Sequence, residues 1–96
     1  MNKEKKIDLE TLVCQKKDLF VTEIDGEKVM MHIENGKYYA MNEVGSRIWD
    51  LIAEPVPVYE IVNTLLDEYQ IDEETCKNAV LEFLTNVSYE EIIEVK

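Results

Sequence analysis

The fold of this chain is decided by a short joint, YYAMNEVGSRIWDLI at residues 38–52. The run YYAM is typical of the end of a β-strand, because aromatic residues favour extended backbone, and Asn42 is a favourable helix N-cap. Apolar residues then recur at helical spacing until Pro55, which cannot continue a helix. These residues are Val44, Ile48, Trp49, Leu51 and Ile52. The stretch predicts a strand that passes directly into an amphipathic helix, with no reactive side chains beside it.

Two turn signals upstream of the joint predict further strands. Asp25-Gly26 and Asn35-Gly36 each stand between extended segments. Both pairs suit a two-residue hairpin turn, whose central positions require positive φ. The sequence therefore predicts a three-stranded antiparallel meander at about residues 18–24, 27–34 and 37–41.

The register of this meander follows if both turns are two residues long. Glu23 then lies opposite Lys28, and His32 lies opposite Tyr39. Because both faces of the sheet are largely apolar, both need a cover: a helix, the segment LETLVCQ at residues 9–15, or a partner. One face carries Phe20, Thr22, Val29, Met31, Ile33, Tyr38 and Ala40, and the other carries Leu19, Val21, Met30, His32, Tyr39 and Met41.

Two more helices are predicted in the second half of the chain. Pro57 suits the first turn of one, and Asp72, followed by Glu73 and Glu74, suits the N-terminus of the next. The tail SYEEIIEVK at residues 88–96 fits either a helical continuation or a short strand. The apolar stripes of the two helices are Val58, Ile61, Val62, Leu65, Leu66 and Tyr69, and Cys76, Ala79, Val80, Phe83, Leu84 and Val87.

Three strands followed by three helices predict a single α+β domain over residues 1–96, with its core at about residues 18–87. The short turn between the last two helices makes the arrangement winged-helix-turn-helix-like. At 96 residues and 46% hydrophobic composition, the chain can bury one core but not two. The charged N-terminus lacks the apolar segment of a signal peptide, and no apolar run approaches about 20 residues, so we expect a cytoplasmic protein.

Net charge argues against binding to nucleic acid. Residues 1–41 carry seven lysines against eight acidic residues, a net −1, whereas residues 42–96 carry three basic against thirteen acidic residues, a net −10. A winged-helix DNA-binding regulator needs cations on its third helix to neutralise phosphates. Because the helical half is acidic, this regulator is the least favoured alternative, and we expect basic or neutral partners.

Catalytic and metal sites are not indicated. Acid-base or nucleophilic chemistry needs a titratable pair, or a nucleophile beside a base. The candidate side chains are His32, Cys14, Cys76 and Tyr38 or Tyr39. The predicted pairing places His32 next to Tyr39, but a lone histidine beside a tyrosine on a half-buried sheet is usually a packing contact with one hydrogen bond. No Gly-rich phosphate loop or metal-ligand cluster accompanies these residues. We therefore expect a protein that is not an enzyme, that needs no cofactor or metal, and that keeps two buried reduced thiols.

A peptide-binding role is favoured by the last predicted strand. In a meander this strand, at residues 37–41, can lie at an edge, where unpaired N–H and C=O groups can accept a strand from another chain. Lys37 stands only at its turn end, and the YYAM that follows is flat and apolar. A helix beside this edge would complete a groove. Leu81, outside the stripe of the third helix, suggests that this helix contacts something besides the core.

Two longer runs, GEKVMMHIENGKYYAMNEVGSRIWDLI and VYEIVNTLLDEYQIDEETCKNAVLEFL, resemble the PqqD-like family, named for the pyrroloquinoline quinone synthesis protein D. These domains are the precursor-peptide recognition elements of pathways that make ribosomally synthesised, post-translationally modified peptides (RiPPs). The resemblance covers about residues 18–87. Its most specific pattern, Gly-x-Tyr-Tyr-x-(Leu/Met)-Asn…Gly…Ile-Trp, is filled by Gly36, Tyr38, Tyr39, Met41, Asn42, Gly45, Ile48 and Trp49, and a later pattern of valine followed by Phe-Leu by Val80, Phe83 and Leu84.

The resemblance implies a non-catalytic adaptor, a peptide chaperone with a winged-helix-like fold. Such an adaptor binds the leader of a precursor peptide as a fourth antiparallel strand between the third strand and the third helix, and presents it to a maturation enzyme. No nucleic-acid or membrane partner is implied. Carried over to this sequence, the strand wall of the leader site is Lys37, Tyr38, Tyr39, Ala40 and Met41, and the helix wall is Cys76, Lys77, Val80, Phe83 and Leu84.

The chain departs from the family's pattern at two places. Ala79 stands where the family often has an acidic residue, and the closing glycine before a final apolar pair is missing from SYEEII. A stand-alone chain of this size resembles the recognition protein of lasso-peptide clusters, whose partners are a leader peptidase and a macrolactam synthetase. The alternative is a PqqD-type chaperone for a radical S-adenosylmethionine (SAM) enzyme in pyrroloquinoline quinone or sactipeptide biosynthesis.

Overall fold

The structure, a computed structural model, describes residues 6–34 and 36–96, and within them it has three helices and two three-stranded antiparallel sheets. The α+β class is therefore confirmed. The strands are β1 (Leu12–Gln15), β2 (Leu19–Ile24), β3 (Glu27–His32), β4 (Tyr38–Ala40), β5 (Val56–Pro57) and β6 (Ile93–Val95). The helices are α1 (Glu43–Leu51), α2 (Val58–Glu68) and α3 (Glu73–Tyr89).

The predicted meander is present as a sheet in the order β2–β3–β4, here called the wing sheet. Its first turn is the expected Asp25-Gly26 pair, with φ of 53° and 83°, as a two-residue hairpin turn requires. Glu23 lies opposite Lys28, also as predicted. The Lys28 Nζ atom lies 3.0 Å from Glu23 Oε1, so charge pairing supports this register.

The register predicted between β3 and β4 is wrong by two residues. Tyr39 lies opposite Met30 rather than His32, and the N–H of His32 donates to the carbonyl of Lys37 over 2.9 Å. The connection is therefore longer than a two-residue turn; Asn35, part of the predicted turn, lies outside the described residues. Because side chains alternate with a period of two, a shift of two leaves every residue on its predicted face.

The strand-to-helix joint forms as expected. The side-chain oxygen of Asn42 accepts the N–H of Gly45 over 2.8 Å and caps α1. The joint is also bonded to the wing sheet, because Ser46 Oγ accepts the N–H of Lys28 over 2.9 Å and the Lys28 carbonyl accepts the N–H of Met41 over 2.8 Å. One end of β4 is therefore held against α1.

The core lies between the helices and the inner face of the wing sheet. Asp72 caps α3 as predicted, since its carboxylate accepts the N–H of Thr75 over 2.9 Å. Two predicted members of the apolar stripes are exposed, Val44 at 41% and Ala79, and four are half-buried, namely Leu51, Leu66, Tyr69 and Phe83. The buried members include Ile48, Trp49, Ile52, Val58, Ile61, Val62, Leu65, Cys76, Val80, Leu84 and Val87.

A second sheet, in the order β5–β1–β6, was not predicted. The tail that fitted either a helix or a strand contains both: α3 continues to Tyr89, Glu91 reverses the chain at φ 60°, and β6 follows. Val13 in β1 and Ile92 before β6 are 0% and 1% exposed. Segments outside the predicted core of about residues 18–87 therefore contribute to the core.

The outer face of the wing sheet is not covered by the described residues. The segment LETLVCQ, one predicted cover, instead contributes β1 to the second sheet. Exposed fractions on this face are 57% for Phe20, 64% for Ile33 and 74% for Tyr38. A contiguous apolar surface of this kind is typical of a protein that contacts other molecules.

Candidate functional site

The open edge of β4 is formed by the backbone of two residues. Bonds to β3 are made at alternate positions, as the His32 N–H to the Lys37 carbonyl and the Met41 N–H to the Lys28 carbonyl show. The backbone groups of Tyr38 and Ala40, between these positions, therefore point away from β3. No strand within residues 6–34 and 36–96 pairs with this side of β4. The edge thus presents two N–H and two C=O groups in extended geometry.

The five residues predicted for the strand wall divide between the outer face, the inner face and the core. Tyr38 and Ala40 are exposed on the outer face, and Lys37 is exposed just before β4. Tyr39 points to the inner face and is half-buried. Met41 is 2% exposed and belongs to the core. An added peptide would therefore contact the residues beside Met41 rather than the Met41 side chain.

The environment of Tyr39 shows which part of α3 lies beside β4. Burial raises the pKa of the Tyr39 hydroxyl, and the nearby carboxylate of Glu90 raises it further. The hydroxyl is therefore neutral at physiological pH. Glu90 directly follows α3, so the C-terminal end of this helix lies close to the edge strand.

The residues predicted for the helix wall are mostly buried. Exposed fractions are 2% for Cys76, 1% for Val80 and 0% for Leu84. Phe83 and Lys77 are half-buried. Leu81 is half-buried and packs against the core, so its place outside the apolar stripe does not require a further contact. On this wall, Phe83 and Lys77 therefore offer more accessible side-chain surface than the other three predicted residues.

A cavity of about 480 Å³ opens where the N-terminal halves of α1 and α3 meet the end of α2. It includes three of the predicted helix-wall residues, Cys76, Val80 and Phe83, and it begins at Asn42, directly after Met41. The cavity therefore begins two residues after the end of β4. Its other lining residues are Val44, Gly45, Ile48, Leu65, Tyr69, Gln70, Ile71 and Ala79.

Sequence reasoning missed much of this cavity. Val44 belongs to a predicted apolar stripe, and Ile71 lies in the short turn predicted between the last two helices, yet both line the cavity and are 41% and 38% exposed. An apolar residue in the polar turn before Asp72 was the one available signal for Ile71. The cavity itself requires α1, α2 and α3 to meet, which no local pattern describes.

The chemistry available in this region is binding rather than nucleophilic attack. Burial raises the pKa of the Cys76 thiol, and its Sγ atom lies 3.9 Å from the carbonyl oxygen of Val62, to which the thiol donates. A neutral buried thiol is a poor nucleophile. Cys14 is also buried, and both cysteines are free, as predicted. Among the described residues no group of three His, Cys, Asp or Glu side chains is arranged to hold a metal ion.

The far end of the β4 edge is joined to α3 by a histidine. His32 Nε2 lies 2.8 Å from the carbonyl oxygen of Glu90. Because a carbonyl can only accept, the Nε2 atom carries the hydrogen and donates it. The cavity thus lies near the C-terminal end of β4, and this hydrogen bond lies near its N-terminal end. None of the helices within the described residues has the length and apolar character needed to cross a membrane.

Comparisons with known proteins identify a family and a similar structure. Residues 27–93 match the family model described as coenzyme PQQ synthesis protein D (PqqD). No match is found among curated proteins. The chain is also similar to a solved structure described as TbiB1 in complex with the TbiA(beta) leader peptide: the two are 32% identical, with a TM-score of 0.77, over 84% of this chain and 94% of that one.

Proposed function

Because this chain belongs to the PqqD family, we propose that it is a non-catalytic adaptor that binds the leader of a ribosomal precursor peptide and presents it to a maturation enzyme. The observation that carries the proposal is the unpaired edge of β4, which ends two residues before the wall of an apolar cavity. The similar TbiB1 structure contains a leader peptide, which supports the same class of ligand.

The backbone of Tyr38 and Ala40 is the proposed docking edge. An added strand would form up to four hydrogen bonds there, worth together only about 4 kcal/mol because each is exchanged for bonds to water. That free energy corresponds to a dissociation constant of about 1 mM. Burying one large apolar side chain adds about 1.5–3 kcal/mol. We infer that edge pairing sets the position of the leader and that apolar contacts supply most of its affinity.

The direction of β4 determines which end of the leader lies at the cavity and which lies near Lys37. β4 runs toward Asn42 and the cavity, so an antiparallel leader strand has its N-terminal part at the cavity. Its C-terminal part leaves near Lys37, where α3 ends. The segment to be processed follows the leader in a precursor, so it would emerge at the Lys37 end. A bulky apolar side chain should stand on the N-terminal side of the paired segment.

The ten predicted site residues take different roles in this proposal. Lys37, Tyr38 and Ala40 contact the leader directly at the edge. Tyr39 and Met41 hold the strand on the core from its inner face. On the helix wall, Phe83 and Lys77 contact the leader at the groove, Cys76 and Val80 shape the cavity, and Leu84 supports α3 from within the core.

The maturation enzyme we propose is the leader peptidase or the macrolactam synthetase of a lasso-peptide pathway, in the cytoplasm. A radical SAM enzyme of a quinone-cofactor or sactipeptide pathway is the alternative. Co-purification of the leader-bound protein with each candidate enzyme would distinguish these pathways. Stable association that depends on the leader is expected only between this protein and its true partner enzyme.

Strand addition can be tested with proline, which removes one backbone donor. The probe is a fluorescein-labelled leader peptide encoded by the short open reading frame beside the gene, titrated by fluorescence anisotropy. Ala40→Pro removes an N–H on the open edge of β4 and keeps every bond to β3. Val21→Pro is the matched control. Val21 lies opposite Met30, and the backbone groups of Met30 pair with β4. The N–H of Val21 therefore points away from β3, toward the opposite edge of the wing sheet.

We expect sub-micromolar binding by the wild-type protein, retained by Val21→Pro and lost by Ala40→Pro with its circular dichroism unchanged. Full binding by a folded Ala40→Pro variant would move the site away from β4. Absence of binding by the wild-type protein to neighbouring leader peptides would contradict the adaptor function itself.

A further inference from the structure

We propose that His32 is a positioning residue for the leader. It joins β4, which carries the docking edge, to the end of α3 and sets the width of the groove near Lys37. The inference rests on the proposed leader-binding function and assigns it a residue that the strand and helix walls do not include. His32 is half-buried on the inner face of β3, the central strand of the wing sheet.

The backbone of His32 determines where β4 begins. Its N–H donates to the Lys37 carbonyl over 2.9 Å, and its own carbonyl accepts the N–H of Gly36 over 2.8 Å. These two bonds close the connection between β3 and β4. Any displacement of His32 is therefore transmitted to Lys37 and to the open edge that follows it.

The side chain of the same residue determines where α3 ends relative to the wing sheet. Its Nε2 donates to the Glu90 carbonyl over 2.8 Å. The last carbonyls of a helix lack partners within the helix and carry partial negative charge. The last turn of α3 has no basic residue. Backbone N–H groups of residues 90–92 reach the carbonyls of Asn86, Val87 and Ser88, and the imidazole of His32 supplies the donor for the next carbonyl, that of Glu90.

Two further observations place this hydrogen bond at the border of the groove. Burial together with the charge of Glu90 raises the pKa of Tyr39, so the inner side chain of β4 lies next to the same helix end. At the opposite end of β4, the Lys28 N–H bond to Ser46 Oγ fixes the wing sheet to α1. The docking edge is thus held at both ends, by α1 beside the cavity and by α3 at the exit.

Holding both ends arranges the groove before the leader arrives. A preformed site avoids the ordering cost that binding otherwise pays. Without the His32 donor, the Lys37 end of β4 is free to move relative to α3, and the leader must order it. Loss of one such hydrogen bond should raise the dissociation constant of the leader about fivefold to tenfold.

The experiment compares three variants with the wild-type protein in the anisotropy titration. His32→Leu keeps a side chain of similar size but has no donor, and His32→Gln restores an N–H donor. Val13→Ala, in β1 of the other sheet, is a destabilised control, since Val13 is 0% exposed and lies outside the groove. Each protein is also titrated with a leader shortened at its C-terminal side, which cannot fill the Lys37 end, and urea unfolding gives the stability of each.

We expect His32→Leu to bind the full leader about fivefold to tenfold more weakly, His32→Gln to recover most of this loss, and Val13→Ala to bind as the wild type does. With the shortened leader, His32→Leu should match the wild type. Equal binding of the full leader by wild type and His32→Leu overturns the role of His32 and leaves the adaptor function standing. Equally weakened leader binding by His32→Leu and His32→Gln, or the same weakening in Val13→Ala, also overturns the role of His32. A wild-type protein that binds no leader overturns the adaptor function.

Discussion

Gly45 of α1 lies directly against the ring of Phe83 of α3, so closely that a β-carbon on Gly45 would stand 2.9 Å from Phe83 Cε1. The same β-carbon would stand 3.3 Å from the Cβ atom of Met41. Both Gly45 and Phe83 line the cavity. The missing side chain at Gly45 therefore lets the two helices approach at the point where the cavity meets the end of β4.

Gly45→Ala should weaken leader binding without unfolding the protein. The added methyl group must displace the Phe83 ring, which changes the cavity that we propose to hold an apolar leader side chain. Alanine favours a helix over glycine by up to about 1 kcal/mol, which offsets the strain, so the free energy of unfolding should change by no more than about that amount. Anisotropy titration and urea unfolding measure the two effects.

The double variant Gly45→Ala/Phe83→Leu tests the cause, because leucine lacks the ring atom that the methyl group meets. It should recover part of the lost affinity relative to Gly45→Ala. Unchanged leader affinity in Gly45→Ala, with unshifted NMR signals of the Phe83 ring, would show that this contact does not shape the site.

Glu91→Gly should stabilise the protein. Glu91 has φ of 60°, in the left-handed region, where a side chain is strained and glycine is not. It occupies the position before Ile92 and Ile93 at which the closing glycine of the family is missing. Allowing for the greater freedom of glycine in the unfolded chain, we expect a gain of about 0.5–1 kcal/mol in the free energy of unfolding.

The control for this prediction is Glu91→Ala, which removes the same charge and keeps the strained backbone. Urea unfolding of the three proteins separates the two contributions. If alanine stabilises the protein as much as glycine does, charge rather than backbone strain is the cause.

Acid should destabilise the protein in part through the cap of α3. Hydrogen bonds from the N–H and hydroxyl of Thr75 hold the pKa of Asp72 below its ordinary value of 3.8. A depressed pKa in the folded state means that the ionised carboxylate adds stability above the ordinary pKa, and that this contribution is lost as the pH falls through the folded-state pKa. The pKa of Glu68 is lowered in the same direction by Arg47.

Asp72→Asn keeps an oxygen that can cap the helix but does not titrate there. Between about pH 5 and pH 2, the wild type should therefore lose more stability in urea unfolding than this variant. Parallel loss of stability in both proteins would place the acid sensitivity elsewhere in the chain.

Salt should slow the association of a lysine-rich leader. The chain has a formal net charge of −11, and the half after residue 41 carries most of it. Long-range attraction raises association rates, and it is largely screened beyond about 8 Å at physiological ionic strength. Stopped-flow mixing should show a lower association rate at physiological salt than at low salt. A neutral leader variant is the control. A rate independent of salt would exclude steering by the acidic half.

Local features of the fold could be read from the sequence because each depends on neighbouring residues. Asn42 and Asp72 cap the predicted helices, since capping is chemistry between residues three apart. Asp25-Gly26 forms the predicted hairpin turn. Even where the β3–β4 register was wrong, the period of two kept Tyr38 and Tyr39 on their predicted faces, so the sequence by itself determined which side chains of β4 face outward and which face the core.

Only the tertiary structure decided how distant segments meet. The pairing of β1 with β5 and β6, the cavity between three helices, and the bond from His32 to Glu90 join residues that are far apart in the chain. No periodicity or capping pattern encodes such contacts, because each depends on the packing of the whole core. The sequence thus specified the helix caps, the first turn and the faces of the strands, and tertiary packing set how these elements lie relative to one another.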